Sequence, residues 1–500
     1  MKALANTLKT TLTSTTLTST TTALDYAGLS IDNSFANLAA DQHRFIFEYN
    51  ANDEDSRPPR YSVIGYQSLL ELSVSDGQIS LEQNGEISDF TPQNIKSGEN
   101  VIDVVDGIVQ SVNCQTPAEF DCFHGGWFGY FGYDTIRYVF PHKLALPTHV
   151  KDELNIADIR LFVPRHLLVL DHKNQTAHWL AYTATDEALP DCPFISTDVK
   201  SDKRSAAAPV RHEYPQRDFE SAVEKIKHYI TEGEIMQAVL SQRMAGDYHG
   251  SALECFNQLV ELSPAPYQYL VSFGDYDIVG CSPETLIQCY QDTLTSSPMA
   301  GTRRRGITEQ EDIALELELL ADEKECAEHL MLIDLARNDL GRVAKPGSVK
   351  VTRQMQVERY SNVMHITSTV KAQRQSISPV KVIAATLPAG TLVGAPKVRA
   401  VQILDEFEST KRGIYGGGLG YIDFNGNLNL AITIRTAVKK DQRIYFQSGA
   451  GIVNDSKPRL EWEETMHKNA NLRKLVSANV PYSFSPNTTA PKTTANKEVA

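Results

Sequence analysis

Five hundred residues, 41% hydrophobic and 22% charged, suffice for two large domains or one elaborate α/β unit and have the composition of an ordinary globular enzyme. The 48 basic against 62 acidic residues leave a net charge of −14. That balance excludes a general nucleic-acid binder, and it requires any anionic ligand to be held by a local set of donors, not by the field of the whole chain.

No apolar run is long enough to span a bilayer, so no membrane association is expected. The seven cysteines show neither paired spacing nor a CxxC, the pattern of reduced thiols in a cytoplasmic protein. From the N-terminus, residues 1–23 are Thr-rich and lack the apolar core of a secretory signal, so a disordered tail is expected there. Residues 24–192 form a strand-rich block. YSVIG, SLLELSV and LFVPRHLLVL carry β-branched and aromatic residues between Asp-Gly, Asn-Gly and Pro breaks. A polar linker is expected over 193–216.

The second block, 217–480, opens with an amphipathic helix in which Phe219, Val223, Ile226 and Ile230 recur at helical spacing. Gly233 ends it, and MQAVLSQRM follows as a strand. One long helix is predicted over 311–338 and another over about 458–477, with Gly-rich strands GGGLGYIDF and YFQSGAGIV between them. Residues 481–500 read as a second disordered tail. The class is α+β, layered antiparallel sheets with outer helices.

Two carboxylate steps carry the first chemical signal. Glu325 and Glu328 lie three apart within one predicted helix, and Glu461 and Glu464 within the other. Residues three apart share a helix face, so two such faces opposed across a cleft would offer a hard cation oxygen ligands only, the set that suits Mg²⁺. For either step alone, a solvated acidic face is the commoner explanation. Gly301-Thr302 and Gly449-Ala450-Gly451 are expected as tight turns whose backbone N–H groups could cradle a carboxylate. Arg435, in an apolar strand-like run, and Lys468 could add fixed positive charge. His365 also lies in an apolar run, where a hydrogen-bonded core histidine is the ordinary case. These residues alone point to a Mg²⁺ enzyme acting on a small anion.

The segments ADEKECAEHLMLIDLARNDLGRV, PAGTLVGAPKVRA, RGIYGGGLGYIDF and QSGAGIVNDSKP resemble, in chain order, the chorismate-utilising enzymes, and within them the anthranilate synthase large subunits. GGWFGYFGYD and RYSVIG extend the resemblance into the first block. It implies that Glu328 and Glu464 bind Mg²⁺ directly, and Glu325 and Glu461 through waters. It further implies that Gly301, Thr302, Tyr415, Arg435, Gly449, Ala450 and Gly451 hold the carboxylates of chorismate, with Lys468 nearby. Glu284 would protonate the departing hydroxyl, and His365 and Thr391 would assist loss of the C2 proton and of pyruvate.

Gln237 stands where water-using relatives carry a basic Lys, and Ala300 where aminodeoxychorismate synthases carry a nucleophilic one, so ammonia is the expected nucleophile. The chain has no G-x-C-x-G elbow, which implies a separate glutamine amidotransferase subunit and an assembly such as a heterotetramer. Tryptophan-sensitive relatives carry an LLES run. Here Tyr49 follows Glu48 in the Ser position, and Gln268 follows Pro266 and Tyr267 in place of Met. A ring added to an indole pocket overpacks it, so inhibition by tryptophan is expected to be weak or absent. The competing readings are a synthase that stops at 2-amino-2-deoxyisochorismate and a non-catalytic chorismate-binding regulatory subunit.

Overall fold

The protein is a computed structural model describing residues 15–50, 59–83, 86–90, 100–115, 120–145, 149–184, 187–194, 209–360 and 363–476. Residues 1–14 and 481–500 of the expected tails, 477–480 of the second block, and 195–208 of the expected linker lie outside them.

The alternation in YSVIG and SLLELSV yields one unbroken strand, Tyr61–Ser75, antiparallel to Ile159–Asp171. Their ladder shifts between Ser68 and Leu70, where Pro164 lies opposite Ser68 and Gln67 takes φ +57°. Proline cannot donate to a ladder and is tolerated at such a bulge, where the added twist bends both strands. Each strand therefore enters two sheets. One sheet runs outward from Tyr61–Ser75 through Arg44–Tyr49, Tyr267–Ser272, Asp277–Ser282, Thr436–Lys440 and Arg443–Ile452 to Gln237–Asp247. The other runs from Ile159–Asp171 through Gly126–Phe131, Gly418–Asp423, Leu428–Ile432, Thr285–Tyr290 and Thr293–Ser296 to Val363–Gln373. The main core lies between them, with Phe45, Phe47, Tyr49, Phe123 and Phe128 fully buried. Helices Gln216–Thr231, Lys397–Phe407 and Pro458–Lys468 cover one outer face, packing on Ala238, Leu240, Ala450 and Ile452. The α+β class with antiparallel layers and outer helices is therefore what the chain adopts.

Several expectations change. Thr15–Leu24, placed in a tail, is a strand along Thr176–Ala184. A Thr-rich strand with one buried residue, Leu17, has no alternating apolar signal, and its order comes from ladder hydrogen bonds. The two blocks do not form separate sheets. Tyr267–Ser272 pairs with Arg44–Tyr49, and Gly418–Asp423 with Gly126–Phe131. The 311–338 helix is two, Glu309–Ala321 and Glu323–Gly341, because Asp322 adopts extended backbone and caps the second through the Lys324 and Glu325 N–H groups. The late helix also breaks, at Asn469, into Pro458–Lys468 and Ala470–Val476.

Helix Glu309–Ala321 buries only Asp312 and Leu319, and is fastened mainly by charge. Arg304 pairs with Glu311 at 2.5 Å, Arg305 with Asp312 at 2.7 Å, Arg303 with Glu318 at 3.0 Å and Arg359 with Glu316. Exposed ion pairs weaken once the screening length falls to about 3 Å, near 1 M salt. Amide exchange over Glu309–Ala321 should accelerate with salt more than over Glu323–Gly341, as read by mass spectrometry. Equal responses would show that packing, not charge, holds the first helix.

Candidate active site

The carboxylates converge from two helices. Glu325 and Glu328 stay one turn apart on Glu323–Gly341, and Glu461 and Glu464 on Pro458–Lys468. Glu328 is pushed upward in pKa, first by burial and then by the charges of Glu325 and Glu464. Glu461 is raised by burial as well, with Glu464 adding to the shift. The two faces therefore feel one another. Each acid nevertheless has a protein partner: Glu464 with Lys468 at 2.7 Å, Glu325 with Arg303 at 3.4 Å, Glu328 with the Gln237 amide at 3.5 Å, and Glu461 with Ser456. Among the described residues, no three His, Cys, Asp or Glu side chains draw close enough to cage a metal ion. The donor chemistry still fits a hard divalent cation, because the carboxylates supply only oxygen and their mutual repulsion is what such an ion relieves.

The glycine segments are strand, not turn. Gly301 lies in Met299–Arg304 at a bulge opposite Val363–Gln373, with φ +67°, and a side chain there would crowd Leu319 and the Glu325 carboxylate at 3.1 and 3.3 Å. Gly449, Ala450 and Gly451 lie in Arg443–Ile452, laddered to Gln237–Asp247. The Val239 N–H donates to the Val393 carbonyl and the Ser241 N–H to Glu408, so their ladder partners Gly451 and Gly449 turn their N–H groups away from Gln237–Asp247. The Ala450 methyl is fully buried on the opposite face. Gly451 leaves room for the Gln237 amide, whose nitrogen would lie 2.4 Å from a Cβ. Gly449 leaves room for the Tyr415 hydroxyl, 3.1 Å from the same position. The Lys468 ammonium donates to the Gly449 carbonyl at 2.9 Å while pairing with Glu464.

Arg435 is not within a strand. It occupies the connection between Leu428–Ile432 and Thr436–Lys440 at φ +51°, a conformation uncommon for a residue with a side chain. Burial lowers its pKa, and the nearest compensating group is the Tyr415 hydroxyl. No acid pairs with its guanidinium among the described residues.

Glu284 is 8% exposed, and burial drives its pKa up to about 8 against the opposing pull of Thr391 and of the Lys468 charge. The buried Thr391 hydroxyl sits beside that carboxyl without a well-formed hydrogen bond. Both line a cavity with about 440 Å³ of open space, walled by Leu332, Leu335 and Ala336 of Glu323–Gly341. His365 faces the Gly301 bulge. Its Nδ1 lies 2.9 Å from the Gly301 carbonyl and 3.1 Å from the Thr302 hydroxyl. A carbonyl only accepts, so Nδ1 carries the proton and Nε2 is the basic nitrogen.

The altered effector residues sit apart on paired strands, Tyr49 and Tyr267 facing the core between the sheets and Glu48 and Gln268 on the opposite face. Tyr49 is fully buried, accepts the Phe123 N–H at 2.6 Å and stacks on Phe47 at 4.7 Å. Glu48 accepts the Ser62 hydroxyl at 2.7 Å. Gln268 donates to the Ala265 carbonyl at 3.1 Å, while Tyr267 bonds Thr285 and Asn429. Pro266 and Tyr267 border a second cavity.

Sequence reasoning singled out neither Arg412 nor Glu408, a buried ion pair behind Tyr415. Both lie outside any periodic element, and only the fold brings them under the site.

Residues 55–474 match the family model described as chorismate binding enzyme. Anthranilate synthase component 1 of Pseudomonas putida is 41% identical over 437 residues, covering 84% of this chain and 87% of that one. The crystal structure of anthranilate synthase component I from Streptococcus pneumoniae TIGR4 superposes with a TM-score of 0.70 at 33% identity, over 84% of this chain and 94% of that one. The menaquinone-specific isochorismate synthase of Escherichia coli, at 16% identity and a TM-score of 0.71 over 95% of this chain and 100% of that one, shares the fold.

Proposed function

The chain belongs to the chorismate-binding enzyme family, and from that premise we propose that it is the large subunit of an anthranilate synthase, converting chorismate and ammonia to anthranilate and pyruvate. The observation that carries this reading is Glu284, a buried carboxyl with a pKa of about 8 beside Thr391, with the Lys468 charge acting on it. At neutral pH it holds a proton that a leaving hydroxyl needs. The 41% identity to an anthranilate synthase component 1 supports the choice of reaction within the family.

Arg435, with the Tyr415 hydroxyl behind it, takes a substrate carboxylate, replacing its missing ion pair. Gly301, Thr302 and the Gly449–Gly451 strand give close backbone approach, and Lys468 supplies further positive charge. Glu284 protonates the C4 hydroxyl, which leaves as water while ammonia adds at C2 and the ring double bonds shift. The basic Nε2 of His365 then removes the C2 proton. The C–H electron pair completes the aromatic ring as the C3–O bond breaks, and the proton leaves with the enolpyruvyl group as pyruvate. Glu328 and Glu464, with Glu325 and Glu461 behind them, would hold Mg²⁺, which neutralises the ring carboxylate of bound chorismate. Gln237 offers no base for water, in keeping with ammonia as nucleophile. A separate glutamine amidotransferase subunit supplies it.

The test is fluorescence of purified chain with chorismate, ammonium and Mg²⁺ at alkaline pH. Anthranilate emission that disappears on chelation and returns with Mg²⁺ supports the reading. Chorismate loss without emission would instead identify a synthase stopping at the aminodeoxyisochorismate, and binding without turnover a regulatory subunit.

Tryptophan is expected to leave this activity unchanged even at millimolar concentration, because the Tyr49 ring already fills the space between Phe47 and Tyr421. Tyr49→Ser should lower stability by about 3 kcal/mol through the cavity it opens, measured by denaturant titration. Inhibition of the unaltered chain at micromolar tryptophan would refute the argument.

A further inference from the structure

Behind the substrate-facing residues lies a buried cation that touches no part of the proposed site's open face. The Arg412 side chain is 2% exposed. Its fork grips Glu408 twice, Nε to Oε2 at 2.7 Å and Nη2 to Oε1 at 2.6 Å. Nη1 donates to the Leu392 carbonyl and Nη2 to the Val239 carbonyl, each at 2.7 Å. The guanidinium lies 4.4 Å from the Tyr133 ring centre and 5.7 Å from that of Tyr415. Glu408 in turn accepts the backbone N–H and the hydroxyl of Ser241, both at 2.8 Å.

These contacts join three elements that carry proposed site residues. Leu392 follows Thr391 in the short turn Gly390–Leu392. Val239 is laddered to Gly451. Tyr415 is three residues beyond Arg412 and donates its N–H to the Arg412 carbonyl at 3.2 Å. A buried ion pair contributes little net stability over apolar packing, yet its geometry is exacting. We propose, resting on the function above, that Arg412 is a positioning residue whose fork holds Thr391 against Glu284 and Tyr415 against Gly449. Lysine keeps the charge but cannot bridge two carbonyls and a carboxylate from one plane.

The test is the pH profile of chorismate turnover by the full chain carrying Arg412→Lys, read beside its Tm. The control is Arg137→Lys, in a buried ion pair with Asp134 and Asp405. Thr391 draws the Glu284 pKa down, so its displacement should move the alkaline limb to higher pH. With it, kcat should fall about 10–100-fold at little change in KM. The control should lower Tm without moving the limb. If R412K shifts only Tm, as the control does, Arg412 is merely structural and the proposal fails while the function stands. If the unaltered chain turns over no chorismate, the function itself fails and carries this proposal with it. Should R412K not fold, Glu408→Gln keeps the shape, removes the acid that orients the fork, and is expected to move the same limb; an unmoved limb overturns the proposal.

Discussion

Glu284→Gln is expected to reduce turnover of chorismate about 10²–10⁴-fold, the usual worth of a positioned acid, with binding of chorismate nearly unchanged. Glutamine keeps the size and the polar contacts of the side chain but has no proton to give. In the unaltered chain the acid must be protonated, so kcat should decline as pH rises through about 8. The same shift has a consequence for stability. The folded carboxyl titrates near 8 against an ordinary 4.5, so folding binds the proton more tightly. Stability therefore falls as pH rises from 4.5 through 8, and the Gln variant should lack that loss. Melting curves at pH 6 and pH 9 check this: the gap between the variant and the unaltered chain should widen in the variant's favour at pH 9. A pH-independent gap would mean that Glu284 is ionised in the fold, leaving it no proton to deliver.

Arg435→Leu is expected to separate affinity from stability. Removing a charge-assisted carboxylate contact should lower kcat/KM about 10²-fold, on the order of 3 kcal/mol, mostly through weaker binding. The fold should not suffer in proportion, because the half-buried guanidinium has no acid partner among the described residues and its backbone sits at positive φ. Replacing an uncompensated, partly desolvated charge by an apolar side chain tends not to destabilise, so Tm should be unchanged or higher. Calorimetry and steady-state kinetics on one preparation decide it. A lower Tm with intact kcat/KM would place Arg435 in the scaffold and take it out of the site.

The break at Asp322 illustrates why helix ends were harder to read than helix existence. Glu309–Ala321 and Glu323–Gly341 both carry helix-forming residues, and only the capping geometry of Asp322 separates them. Gly301 and Gly449 were recognisable as positions where backbone must come close. Their setting in ladders was not, since strand pairing is a property of partners distant in the chain. The same holds for Arg435, whose apolar neighbours suggested a strand when the chain in fact turns there. The sequence marks Tyr49 as a large ring in the effector region, because size is an attribute of the residue itself; its neighbours Phe47 and Tyr421 come only from the fold.

What the sequence by itself determined was therefore local or compositional: the α+β class, the pairs of carboxylates one helical turn apart, the added ring at Tyr49, and the motifs that mark the family. Periodicity and residue type suffice for these, because each depends on neighbours within a few positions. Only the tertiary structure decided that the two halves of the chain share both sheets, that Glu328 and Glu464 act on each other from separate helices, and that Glu284 is dry enough to keep its proton. Burial and electrostatic coupling are set by groups brought together from far apart, and no stretch of sequence carries that distance within it.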